Sequence, residues 1–160
     1  MEKNKVRTQL NIEHADIGFR NFVGEEGPYN KSGDRSFVVF LDDELAAELE
    51  AEGWNIKWPK ENDKIDPEED ERRPYFQVTI SFKYYPAKVY LINDDNPDSP
   101  SVEMIEEEAV GMLDWAELSN VDLVIRPYNW TMQGNSGVKA YLKAGYFTLV
   151  SDEFAQKYGV

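Results

Sequence analysis

Cysteine is absent from this chain of 160 residues, and histidine occurs once, at His14. Without thiols there is no disulfide, no thiolate metal site and no cysteine nucleophile. A zinc site or a histidine-based triad would rest on His14 alone, so no metal, cofactor or catalytic residue is assigned. No stretch approaches the roughly 18 apolar residues that a membrane helix needs. Residues Met1 to Thr8 are charged and carry no apolar core for a signal peptide. These absences lead to the expectation of a soluble, cytoplasmic protein with no membrane partner.

Positive charge is also scarce: 17 Lys and Arg against 31 Asp and Glu give a net charge of −14. Such a balance argues at first against a nucleic-acid partner. The acids are unevenly spread, however. Segments 42–52, 61–71 and 94–117 hold six, seven and nine of them, with Lys64 as the single base. The remaining residues contain 9 acids and 16 bases, enough for a positive face on an acidic protein.

Hydrophobic residues make up 41% and aromatics 13%, the composition of a globular chain, and the length suits one domain spanning 1–160. Residues 6–22 read as extended, with a bend near His14 and anchors at Ile12, Ile17, Phe19 and Phe22. Gly24 to Gly33 reads as loop. Phe37 to Leu41 is a continuous apolar run, a strand buried on both sides. Asp42 then caps a helix over about 43–52, with Asp43 and Glu44 favourable in its first turn and Gly53 as its stop.

Trp54 to Trp58 reads as a short strand and 60–74 as a mobile acidic loop. Tyr75 to Tyr84 alternates, placing Phe76, Val78, Ile80 and Phe82 inward. Lys88 to Ile92 is expected beside it, across a corner at Tyr85-Pro86. Ser101 to Glu117 fits either period, and Ser151 to Tyr158 reads as a closing turn of helix. Many short strands, one clear helix and long acidic loops indicate a mainly β fold. A small, partly open barrel of the OB type with one or two helical insertions fits best, with a sandwich as the alternative.

The feature richest in chemistry is a hairpin over about 121–150. Side chains two apart on a strand share a face. One face therefore collects Arg126, Tyr128 and Trp130 from one strand and Lys139, Tyr141 and Lys143 from the other. With Gly134-Asn135-Ser136-Gly137 as the turn and Gln133 paired to Val138, Trp130 stands opposite Tyr141 and Tyr128 opposite Lys143. Val121, Leu123, Ile125, Leu142 and Tyr146 then form the dry side. Rings interleaved with cations suit a surface that stacks bases and tracks phosphates. Trp54 and Trp58 around Lys57 supply further rings, and Arg20, Arg35 and Lys57 further phosphate contacts.

The order of several short segments resembles the phage-encoded single-stranded-DNA-binding proteins of OB-fold type. They are Arg20-Asn21-Phe22-Val23-Gly24, Tyr29-Asn30 through Gly33-Asp34-Arg35 to Phe37, and Gly53-Trp54-Asn55-Ile56-Lys57. Later come Val121-Asp122-Leu123-Val124-Ile125-Arg126-Pro127-Tyr128 and Gly137-Val138-Lys139-Ala140-Tyr141. The resemblance implies a non-enzymatic accessory of phage replication or recombination. Its partner is single-stranded DNA, with phage or host replication proteins and self-association as further partners. Many such proteins end in an acidic tail that recruits enzymes, whereas residues 152–160 hold two acids. Either loops 61–71 or 94–108 carry that role, or it is absent.

Three other readings remain open, one of them a virion structural protein that would form large assemblies. Acid clusters such as Asp42-Asp43-Glu44, Asp66 to Glu71 and Asp94-Asp95 could hold Mg²⁺ in a nuclease, but one caps a helix and two lie in proline-punctuated loops. An acidic protein-interaction module, or a DNA-mimic inhibitor, would use the net charge directly.

Overall fold

The last strand of the molecule serves as the spine to which the others attach. A computed structural model describes residues 6–95 and 98–150. In chain order the elements are β1 (Leu10–Ile12), β2 (Asp16–Asn21), β3 (Arg35–Phe40), α1 (Asp43–Ala51), β4 (Tyr75–Ile80), β5 (Lys88–Asn93) and β6 (Ser101–Ile105). A 3-10 turn follows at Val110–Asp114, then β7 (Leu118–Met132) and β8 (Asn135–Leu149). Strand β8 pairs antiparallel with β7 along one side. On its other side it pairs parallel with β4 at Val78–Ala140 and Thr79–Tyr141, then with β5 from Lys88–Ala144 to Ile92–Thr148.

The two free ends of the main path β1-β7-β8-β4-β3-β2 are consecutive in sequence. One extended segment bends at His14, whose φ of +52° permits a sharp turn, so β1 lies on β7 while β2 lies on β3. The Ala15 amide donates to the Val121 carbonyl at 2.7 Å beside that bend. The chain thus bridges a sheet whose strands do not close, giving the partly open OB-like barrel that the sequence suggests.

Apolar alternation fills the interior. Phe76, Val78 and Ile80 of β4, Val121, Leu123 and Ile125 of β7, and Leu142 of β8 are all buried. Phe22 stacks on Phe37 at 5.3 Å and meets the edge of Phe147 at 5.7 Å. Each such side chain contributes about 1.5–3 kcal/mol through burial. Helix α1 starts where expected: the Asp42 carboxylate accepts from the Leu45 amide at 2.7 Å, and Gly53 leaves the helix at φ +101°. Ala46 and Leu49 are its buried face.

Three expectations change. Residues 54–58 form no strand but two isolated bridges, Trp54 to Val138 and Lys57 to Tyr75. Strand β5 is not beside β4; it lies between β6 and the far half of β8, because the corner at Tyr85-Pro86 carries the chain past β4's end. Tyr146 is not on the dry side. Val124 faces Ala144 while Ile125 faces Leu142, so Lys143 is an extra residue in β8. This bulge reverses the alternation beyond it. Phe147 enters the core, and Tyr146 instead stacks outside on Tyr90 at 4.9 Å. The helix expected at Ser151 to Tyr158 lies outside the described residues.

Candidate nucleic-acid interface

Strands β7 and β8 meet through a two-residue turn at Gln133 and Gly134, with φ of +50° and +81°. Positive φ at both positions is the geometry that matches strand twist in a two-residue hairpin. The closing pair is therefore Met132–Asn135 rather than Gln133–Val138. Tyr128 pairs with Lys139, Trp130 with Gly137 and Arg126 with Tyr141. Relative to the expected register, each β7 residue meets a partner four places earlier in β8. Four is even, so the same side chains still share the outer face.

On that face the groups touch. The Arg126 guanidinium lies 4.8 Å from the Tyr85 ring and 5.2 Å from the Tyr141 ring. The Lys139 ammonium stands 5.2 Å from the Tyr141 ring centre, and Tyr128 meets Tyr141 edge-on at 6.3 Å. Tyr128 and Trp130 are 51% and 38% exposed, so ring faces remain available to a ligand. Lys143 sits further along, in the bulge, where its ammonium donates to Gln9 Oε1 at 3.0 Å.

Trp130 and residues 136–140 of the hairpin form one wall of an open groove of about 1520 Å³, and Arg126, Tyr128 and Tyr141 lie just outside its lining. Ser36, Val38, Gln77 and Thr79, from the outer faces of β3 and β4, lie along its floor. The wall continues through Gly53 to Lys57, which is stitched to Val138 at one end and to Tyr75 at the other. The opposite wall is the loop from Glu25 to Arg35. Asn30 ties that loop together, its amide donating to the carbonyls of Glu25, Lys31 and Asp34. Glu25, Glu26 and Asp34 give this wall three carboxylates beside Arg35, whereas Lys57 and Lys139 give the other two cations.

The remaining sequence-predicted residues divide by structural duty. Trp54 is 3% exposed and meets Phe76 edge-on at 5.3 Å, so its ring is core and not an exposed stacking surface. Trp58 donates its indole N–H to Glu50 at 2.7 Å, against α1. Arg20 donates to the carbonyls of Leu113 and Ala116, closing the 3-10 turn. Arg35 donates to the Phe22 carbonyl and pairs with Glu107 at 2.9 Å. Both arginines also line the groove, on the side opposite the hairpin, with their guanidinium groups held by these internal partners. Lys57 lines the groove as well, and it is exposed.

Tyr84 and Tyr85, 92% and 73% exposed, were not among the expected rings. Their signal, two tyrosines before a proline, reads equally well as a simple corner. Among the described residues no group of three or more His, Asp or Glu is placed to hold a metal ion.

A partly open OB-like barrel with a cation–aromatic face beside a groove is a nucleic-acid-binding architecture. The chain belongs to the family described as "Putative phage ssDNA-binding domain", whose model matches residues 1–160. Its function is thus the binding of single-stranded DNA, and the DNA-mimic alternative is not favoured. Among solved structures it is similar to the single-stranded DNA-binding protein of bacteriophage Enc34 in complex with ssDNA. That match has a TM-score of 0.54 at 11% identity, covering 92% of this chain and 89% of the other. A C-terminal truncation of the Enc34 protein gives 0.51 at 11% identity, covering 91% and 88%. At this identity the likeness speaks for the fold. No curated protein matches the chain.

Proposed function

We propose that the protein coats single-stranded DNA along the groove, with phosphates neutralised on the Lys57–Lys139 wall and bases stacked on the hairpin rings. The observation that carries this reading is the cluster of Arg126, Tyr128 and Lys139 around the Tyr141 ring on one outer face, with Trp130 beside it. Aromatic stacking tolerates any base and contributes about 1–3 kcal/mol per base. Lys143 and the Tyr84-Tyr85 corner extend the same face beyond the groove. Binding by these means makes and breaks no covalent bond, so the protein is not an enzyme.

Its place is the host-cell cytoplasm during phage replication or recombination, where exposed strands need cover. Self-association on the strand and contacts with replication proteins belong to the same reading. The whole chain 1–160 acts as one binding domain.

Titration with fluorescent oligo-dT and with duplex of equal length tests the proposal. Tight, salt-sensitive binding to the single strand, weaker binding to duplex, and a loss of about 2–4 kcal/mol in the double variant W130A/Y141A are expected. Equal affinity for duplex, or unchanged binding by that variant with its fold intact, would overturn it.

A further inference from the structure

Across the groove from the hairpin, three rings gather on three neighbouring strands. Phe19, Phe40 and Tyr75 stand 5.7 to 6.3 Å apart, centre to centre. They belong to β2, β3 and β4, where Phe40 pairs with Tyr75 and Asp16 with Phe40. This is the same outer face as the groove floor, and Phe19 and Tyr75 line the groove together with Trp130 and Lys139.

Phe19 is the unusual member. It is 72% exposed and its φ is +45°, in the left-handed region that a residue with a Cβ seldom occupies. The register slips between Gly18 and Asn21 at the same place. Neither burial nor regular strand geometry accounts for a phenylalanine there. Backbone strain that holds a large apolar side chain out in water points to a role in binding. The neighbouring charge is right for a nucleic acid, since Lys57 bridges through its backbone to Tyr75 at 2.8 and 3.0 Å.

We infer that Phe19, Phe40 and Tyr75 form a second base-stacking platform, taking unpaired nucleobases of the strand that the hairpin grips, with Lys57 on the phosphate between. The inference rests on the proposed groove reading and adds where the strand goes next. From Tyr141 on β8 to β2 is three strand spacings, and from the level of Thr79 to Tyr75 is four residues. The two platforms are therefore roughly 20 Å apart. A short oligonucleotide can occupy the hairpin alone, whereas a long one reaches both.

Binding of dT3 and dT20 to Phe19→Ala, Phe19→Gly and W130A/Y141A separates the possibilities. Phe19→Ala is expected to weaken dT20 binding about tenfold and leave dT3 nearly unchanged. Phe19→Gly should weaken dT20 equally while keeping or raising the thermal midpoint, because glycine adopts positive φ without strain. If W130A/Y141A weakens both oligonucleotides and neither Phe19 variant changes dT20 binding, the second platform is refuted while the groove reading stands. If W130A/Y141A changes neither, the groove reading itself fails. A Phe19→Gly variant that loses stability without losing dT20 affinity makes the residue a packing element and overturns the inference.

Discussion

Trp130 lies across Gly137, its cross-strand partner: a Cβ built on Gly137 would stand 2.8 Å from the indole Cζ2 and 3.0 Å from Cε2. The indole therefore uses the bare backbone of the opposite strand as its seat, and the flat pose leaves one ring face toward the groove. Gly137→Ala is expected to lift the ring from this seat. Affinity for oligo-dT should fall about tenfold, up to the worth of one stacked base. The fold should survive, because alanine is tolerated at a strand position of ordinary φ. Unchanged affinity, with unchanged tryptophan emission, would show that the seat does not set the pose.

Four tryptophans occupy four different environments, so fluorescence can locate the DNA. Trp54 is core, Trp58 is bonded to Glu50, Trp115 is 77% exposed beyond the 3-10 turn, and Trp130 is on the hairpin. Quenching by oligo-dT is expected to disappear in Trp130→Phe and to persist in Trp115→Phe. Trp54→Ala, by contrast, should cost about 3–5 kcal/mol of stability, as expected for emptying a core site, measurable by denaturant titration.

Lys139 should reveal itself through salt. Each phosphate neutralised on a single strand contributes about −0.7 to the slope of log affinity against log salt. Lys139→Met preserves the aliphatic stem and removes the charge, so the slope should flatten by about that amount. An unaltered slope would place the ammonium off the phosphate path.

Acid should loosen two places before it unfolds the rest. The Asp70 carboxyl is held down to about 2 from an ordinary 3.8, first by hydrogen bonds from the Arg72 side chain and then by the Arg72 amide. For Glu52, burial pushes the pKa up, but side-chain and backbone hydrogen bonds from Arg7 outweigh it and hold the carboxyl below 4.5. Depressed folded pKa values mean stability that is present above the ordinary carboxylate range and lost as pH falls through it. The protection of amides near residues 60–72, relative to their intrinsic exchange at each pH, should therefore fall between about pH 4 and 2. Asp70→Asn should show the lower protection already at pH 7 with little change in thermal midpoint, since the pair lies at the solvent-screened surface.

Breaking the Arg7–Glu52 contact is a stronger perturbation. Arg7 donates to both Glu52 oxygens at 2.6 to 3.0 Å, and the Glu52 side chain is only 9% exposed. Arg7→Ala leaves that carboxylate largely buried without its partner. A loss of about 2 kcal/mol is expected by thermal or denaturant unfolding, and Arg7→Ala/Glu52→Gln should recover part of it.

Much of this molecule could be read from short-range patterns. The helix from Asp43 announces itself through its cap and its acidic first turn, because capping is satisfied within three residues. The core face of β4 follows from alternation, and the bend at His14 from a break in an extended segment. Even Trp54 carried a local signal, since Trp54 and Ile56 are buried while Asn55 and Lys57 are exposed. Its flanking lysine and its neighbour Trp58 drew attention to the surface instead.

The amino-acid order by itself determined which side chains share the hairpin's outer face, because a strand's alternation is a property of one residue and the next. It did not determine who stands opposite whom. Positive φ at Gln133 and Gly134 set the pairing, and the extra residue at Lys143 decided that Phe147 rather than Tyr146 faces inward. Nor could it bring Phe19, Phe40 and Tyr75 together: they lie up to 56 positions apart and meet only because β2, β3 and β4 are adjacent in the sheet. Pairing between distant strands depends on which apolar faces find each other across the barrel, and that is settled by the packing of the whole chain.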